Sequence, residues 1–185
     1  AEVEGQLVGH IAYARGSLTE PSGREHIAIG FGPISVAPAR QRQGIGGRLI
    51  QATLTMAADA GYPAVFITGD PGYYHRFGFV TAGDLGFRLD GVSSDDPAPW
   101  FMVRILDPAA MAGISGIWRF DPAYEVDPED LAVFDSHFPP REKLVLPGQI
   151  FSQQGQGSAG GHAAAQQLSR CGSETDRSDA SRQYG

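Results

Sequence analysis

Cysteine is almost missing from this chain. Cys171 is the only one in 185 residues, so no disulfide can form within it, which suits a reducing compartment. Lysine is as scarce: Lys143 stands against thirteen arginines, and with many Ala, Gly and Pro residues this bias points to a GC-rich bacterial genome. No apolar run approaches the length that crosses a bilayer, and no secretory signal pattern opens the sequence. A cytoplasmic location with no membrane partner is therefore expected. A formal net charge of -7 argues against nucleic acid as a partner, because such binding rests on phosphate neutralisation. The Gly-x-Ser-x-Gly elbow of serine hydrolases is absent, and the five histidines show no metal-ligand spacing, so no metal is expected. The single thiol sits in a Gly-, Gln- and Ser-rich stretch, away from any base that would activate it, which argues against a covalent acyl-cysteine route.

Acids are missing from one stretch in particular. None occurs between Glu25 and Asp59, while Arg40, Arg42 and Arg48 lie inside that window. In an acidic protein such a stretch either holds an anion or is a solvated helix start, and charge alone does not decide between them.

What is present reads as an alternation of strands and helices. Residues 1–3, the turn Glu4-Gly5-Gln6 and residues 7–14 form a strand, tight turn and strand. Residues 27–36 are a further strand, in which Gly30 and Gly32 signal a bulge or a close backbone approach, and Pro38 ends it. Residues 44–60 are the clearest helix, with Ile45, Leu49, Ala52, Met56 and Ala60 at helical spacing on one expected face and Gly61 and Pro63 as its stop. A buried-type strand over 64–68 leads to the turn Gly69-Asp70-Pro71-Gly72 and a short helix running to Phe77. Residues 79–89 and 100–106 are expected as two more strands joined by a polar loop over 90–99. Asp127-Pro128-Glu129-Asp130 has the cap, first-turn proline and acids of a helix start. From about Pro147 the composition turns to small and polar residues that bury too little surface to offset their ordering entropy.

The stretch Gln41-Arg42-Gln43-Gly44-Ile45-Gly46-Gly47 lies between an expected strand and an expected helix. Its glycines allow a tight turn and close backbone approach, and the first helical amides carry the positive end of the helix dipole without an intrahelical partner. A pyrophosphate suits such a place, with Arg42 and Arg48 adding charge. A dinucleotide fingerprint fits poorly, since Leu49 stands where a third glycine belongs. A P-loop fits worse, since Gly-Lys-Ser/Thr is absent. A glycine-rich helix entry with no ligand remains open on these residues alone.

Two motifs in register resemble the GNAT acyltransferase superfamily. Gln41, Gly44 and Gly46 match its Gln/Arg-x-x-Gly-x-Gly/Ala signature, and Tyr74 precedes Gly78-Phe79 at the spacing of its second signature. The wording Gly69-Asp70-Pro71, Tyr73-Tyr74 and Phe77-Gly78-Phe79, with Gly32-Pro33 before, is similar to the YhbS-like subgroup. The resemblance implies an α/β (α+β) fold with a mixed, mostly antiparallel sheet flanked by helices. It spans residues 1–107, an N-acetyltransferase domain that lacks the family's N-terminal strand and two helices and so is expected to be N-terminally truncated. Residues 108–147 follow as an extension with one short helix, and 148–185 as a disordered low-complexity tail.

The resemblance also implies a ligand and a reaction. Acetyl-coenzyme A would lie with its pantetheine arm along Ile34, Ser35 and Val36, and its pyrophosphate on Gln41, Arg42, Gln43, Gly44, Ile45, Gly46, Gly47 and Arg48. Tyr74 would touch the coenzyme and protonate its departing thiolate after direct attack by a primary amine in a ternary complex. An acetyl-coenzyme A-binding module without activity is the alternative. No general base is assigned among Glu25, His26, Asp70 and His75, the acceptor amine is not readable, and a homodimer through sheet edges stays open.

Overall fold

The computed structural model describes residues 1–140, so the expected tail over 148–185 lies outside the described residues. The chain opens with a small hairpin, β1 (Glu2–Val3) and β2 (Gln6–Leu7), closed by Glu4 and Gly5. Both turn residues have positive φ, 53° and 76°, the geometry of a two-residue turn whose twist matches its strands. Then come β3 (Gly9–Thr19) and β4 (Glu25–Val36), a long antiparallel pair that is the spine of the sheet. Helix α1 (Ile45–Asp59) follows, then β5 (Ala64–Thr68), the short α2 (Pro71–Tyr74) and a 3-10 turn over His75–Phe77. The remaining elements are β6 (Val80–Thr81), β7 (Phe87–Leu89), β8 (Phe101–Ile105), β9 (Gly116–Arg119) and α3 (Pro128–Asp135).

Seven strands form one sheet in the order β6-β8-β5-β4-β3-β9-β7. The pairs β4–β5 and β7–β9 are parallel and the rest antiparallel, so the sheet is mixed and the fold α+β, as expected. Both faces are covered. The central strand β5 therefore reads as a continuous apolar run, with Ala64 and Phe66 packing into one core and Val65 and Ile67 into the other. On one face α1 sets Ile50, Leu54 and Ala57 against Ile29, Phe31 and Phe79. On the other, Phe66 stacks on Trp118 at 4.2 Å between ring centroids, with Phe87 and Phe101 around it. Burying an aliphatic or aromatic side chain of this size contributes about 1.5–3 kcal/mol, so these two layers carry most of the fold's stability.

Three expectations are corrected. First, Ile45 is buried as expected and Leu49 half-buried, but further along α1 the buried row is Ile50, Leu54 and Ala57, while Met56 is 67% exposed and Ala52 and Ala60 also face out. The helix is apolar on two adjacent flanks, and periodicity alone does not say which one meets the sheet. Second, the strand expected over 79–89 is broken into β6, a 3-10 turn over Ala82–Leu85, and β7. Gly86, with φ of 81°, ends that turn in the left-handed region that favours glycine. Third, β9 was not anticipated. It enters the sheet beside β3, pairing Ser17 with Arg119, Leu18 with Trp118 and Thr19 with Ile117.

The helix stop falls where the sequence put it. Gly61, at φ 79°, gives its amide to Ala58 O while Tyr62 N–H reaches Ala57 O, a double closure of the last turn. Asp127 caps α3 by accepting from the amides of Glu129 and Asp130 at 2.7 and 3.2 Å.

The assignment of the buried row has a direct test. Leu54→Ala is expected to lower the unfolding free energy by about 2–5 kcal/mol, because it removes a core side chain and leaves a void. Met56→Ala should change it by less than about 0.5 kcal/mol. Urea unfolding of both variants checks the pair.

Candidate functional site

Strands β4 and β5 pair only at Ile29–Val65 and Gly30–Phe66. Beyond those residues β4 runs on to Val36 and β5 to Thr68, and among the described residues no strand pairs with that edge of β4. A bulge marks the parting. Between the pairs Ile11–Ile34 and Tyr13–Phe31, the single residue Ala12 of β3 faces Gly32 and Pro33 of β4. Proline has no amide hydrogen to give to a ladder, so the interruption is written into the sequence. The other glycine here, Gly30, answers to close approach: a Cβ on it would stand 2.6 Å from the ring of Phe120.

The direction of the free backbone groups follows from one hydrogen bond. Ala37 donates its amide to Val8 O on the β3 side, at 2.8 Å. Backbone groups alternate along a strand, so those of Val36 and Ile34 turn to the opposite, open side, while Ser35 faces β3, opposite His10. The carbonyl of Val36 is already in use, accepting from the Gln41 side-chain amide at 3.0 Å. Gln41, expected among the phosphate-binding residues, thus spends its side chain tying the loop to the end of β4. Gln43 does similar work, donating to Ala39 O at 3.3 Å.

The loop then delivers α1 with its first turn bare. Gly44 precedes the helix at φ 78° and offers no side chain to cap it. Arg42 also has positive φ, 59°. Among the described residues nothing accepts a hydrogen bond from the amides of residues 42–47, and no acid lies in the first turn of α1. A Cβ at Gly46 would stand 3.4 Å from the Tyr73 hydroxyl and 3.7 Å from a methyl of Val36, and one at Gly47 3.5 Å from the Phe77 ring. The bare first turn therefore faces the end of β4 and the aromatic segment 73–77. Unpaired amides at the positive end of a 15-residue helix have the electrostatics that favour an anion. Arg48 is exposed beside it.

Tyr74 lies next to Tyr73 in the same aromatic segment. Asp70 starts α2 by accepting from Gly72 N–H at 2.9 Å, and Tyr73 and Tyr74 give their amides to Asp70 O. The Tyr74 ring packs against Phe31, Phe79 and Tyr73, with centroids 5.9, 6.0 and 4.9 Å away. It lies so close to Gly69 that any Cβ there would overlap it, so glycine at 69 is a requirement of the tyrosine's position. Burial among these rings pushes its hydroxyl up to about 12, with Tyr73, Asp70 and Tyr13 adding to the rise. The group therefore keeps its proton throughout the physiological range.

The other titratable candidates stand apart. His26 pairs with Glu20 near the β3–β4 turn, and Glu25 begins β4 there. Six residues separate His26 from Gly32, which is about 20 Å of extended strand. The Asp70 carboxylate is committed to its helix cap, and His75 is exposed. Two residues not singled out from the sequence belong to the site's surroundings. Arg76 lies over the Tyr73 ring, and the Tyr124 hydroxyl, half-buried, meets the Gly32 backbone in the bulge. Arg76 follows Tyr73 by three residues on a helical turn, a signal that was readable; Tyr124 comes from far along the chain and gives none.

Set beside known proteins, this arrangement has relatives. Residues 1–81 match the family described as "Acetyltransferase (GNAT) domain". The chain is similar to proteins of the GNAT superfamily, and its curled mixed sheet with flanking helices is the fold of that class. It is 33% identical over 119 residues to the uncharacterized N-acetyltransferase YhbS of Escherichia coli K12, covering 63% of this chain and 66% of that protein. It is 34% identical over 104 residues to the uncharacterized N-acetyltransferase YjhQ of the same strain, covering 55% and 57%. The crystal structure of E. coli YhbS in complex with CoA superposes with a TM-score of 0.58 at 27% identity, over 66% of this chain and 65% of that one. The chain thus spans just under two thirds of the length of these YhbS relatives.

Direct titration checks the state of Tyr74. The alkaline ultraviolet difference between the wild-type protein and Tyr74→Phe should show one phenol ionising near 12, two units above an ordinary tyrosine. A difference spectrum that titrates near 10 would contradict the burial argument.

Proposed function

We propose that the protein is an N-acetyltransferase that moves the acetyl group of acetyl-coenzyme A to a primary amine by direct attack in a ternary complex. The observation that carries this reading is a single juxtaposition. The bare first turn of α1 at Gly46 adjoins both Val36, at the unpaired end of β4, and the Tyr73 hydroxyl, and Tyr73 packs on the protonated Tyr74. An extended anionic thioester suits all three: diphosphate on the helix start, amide-bearing arm along the strand edge as an added strand, and sulfur toward Tyr74. The CoA held by YhbS, a relative of the same fold, supports the choice of ligand.

The chemistry then follows from the groups present. A neutral amine adds to the thioester carbonyl, and negative charge gathers on its oxygen, where a backbone amide beside the bulge would stabilise it. As the carbon–sulfur bond breaks, the thiolate takes the proton of Tyr74. The resulting phenolate is reprotonated by the ammonium product or by water. A phenol with a raised pKa suits this role because it is present as the acid at every working pH. The reading carries a cytoplasmic location and an acetyl-coenzyme A co-substrate with it.

Free-thiol release in the presence of acetyl-coenzyme A and a panel of amines tests the reaction. Coenzyme binding with no thiol release on any amine would favour a binding module instead. Tyr74→Phe should lower turnover by about 100-fold or more while coenzyme affinity stays similar. Because Tyr74 stays protonated up to about 12, the rate should rise with pH as the amine loses its proton, and Tyr74 should impose no fall below that value. Gly46→Asp should weaken coenzyme binding by about tenfold or more, since it sets a carboxylate against phosphate; unchanged affinity in calorimetry would remove the anion site.

A further inference from the structure

Beside the start of α1 a cation is stacked on aromatic rings, and among the described residues no acid or hydrogen-bond acceptor meets it. The Arg76 guanidinium carbon lies 3.9 Å from the centre of the Tyr73 ring and 5.0 Å from that of Phe77. Those are the two rings that wall the first turn of α1 at Gly46 and Gly47. Stacking occupies the face of a guanidinium and leaves the N–H groups at its edge available. Among the described residues no carbonyl or carboxylate accepts from them, and the ion pairs there are His26–Glu20, Arg40–Glu4 and Arg119–Asp90. The nearest acid in sequence, Asp70, is committed to the Gly72 amide.

We propose that Arg76 binds the ribose 3′-phosphate of coenzyme A, a subsite separate from the one that holds the diphosphate. The inference rests on the coenzyme reading above. Coenzyme A carries two anionic groups at its nucleotide end. The diphosphate matches the row of main-chain donors at residues 42–47, which suits a group that must lie close to backbone. The phosphomonoester gathers up to two charges on a single phosphorus and projects from the ribose, so it calls for a side chain that reaches outward from the cleft wall. A guanidinium edge offers paired donors that fit two phosphate oxygens at once. Arg48 is exposed near the same helix start but no ring holds it, whereas the stack on Tyr73 and Phe77 fixes Arg76 before ligand arrives and reduces the ordering cost of binding.

Calorimetry with coenzyme A and 3′-dephospho-coenzyme A on the full chain tests this. The wild-type protein should bind coenzyme A about tenfold more tightly than the dephospho form, the worth of one charge-assisted phosphate contact at an exposed site. Arg76→Ala and Arg76→Gln should bring that ratio close to one while affinity for the dephospho form barely moves. Arg48→Ala should keep the ratio. An unchanged ratio in both Arg76 variants, a ratio lost in Arg48→Ala instead, or equal wild-type affinity for the two coenzymes would each overturn the subsite and leave the coenzyme reading standing. Failure of the wild-type protein to bind either coenzyme would remove that reading and the subsite with it.

Discussion

Two neighbouring strands stop pairing, and the rest of the site is a consequence of that break. After Gly30 and Phe66 the ladder between β4 and β5 ends, although β4 continues for six residues. Hydrogen-bonding groups inside a folded protein demand partners, so an edge left open in the middle of a sheet is an obligation that a ligand can meet. The Gly32-Pro33 bulge produces the break locally, because one residue lacks a side chain and the next lacks an amide hydrogen. The same divergence makes room for the aromatic segment after β5 and for the loop that presents α1.

The loop between β4 and α1 shows a division of labour. Gln41 and Gln43 hold carbonyls of their own segment and fix its path, while the glycines at 44, 46 and 47 keep the helix entrance free of side chains. Signature residues can serve the loop's own path: the side chains of Gln41 and Gln43 are spent on main-chain carbonyls.

How much of this the sequence disclosed depended on whether the deciding contact was local. The stop of α1 at Gly61 and Pro63, the cap at Asp127, the turn at Asp70-Pro71 and the interruption at Gly32-Pro33 rest on conformations of a few adjacent residues and were legible as such. The two glycine- and tyrosine-bearing motifs placed residues 42–47 and Tyr74 on the right elements for the same reason. Which flank of α1 is buried depends on the sheet it meets, so Ile50, Leu54 and Ala57 were hidden behind an equally regular row through Met56. The break within 79–89 turned on whether Gly83 and Gly86 end a strand or sit in one, a choice made by burial of Ala82. For β9, the alternation of Ile117, Trp118 and Arg119 was a signal too short to stand out, and its partner Leu18 lies a hundred residues away. The raised proton affinity of Tyr74 could not be read at all, since it depends on burial against Phe31, which comes from the distant strand β4.

The family profile ends at residue 81, yet the sheet does not. Strand β8 lies between β5 and β6, and Trp118 on β9 stacks on Phe66 in the central strand. Phe120 fills the hollow over Gly30, one pair of residues before the strands part. Homology and autonomy therefore draw different borders here. A fragment trimmed to the recognisable part would expose a stripe of aromatic surface and lose the brace behind the bulge, so the smallest piece worth expressing reaches at least through Tyr124.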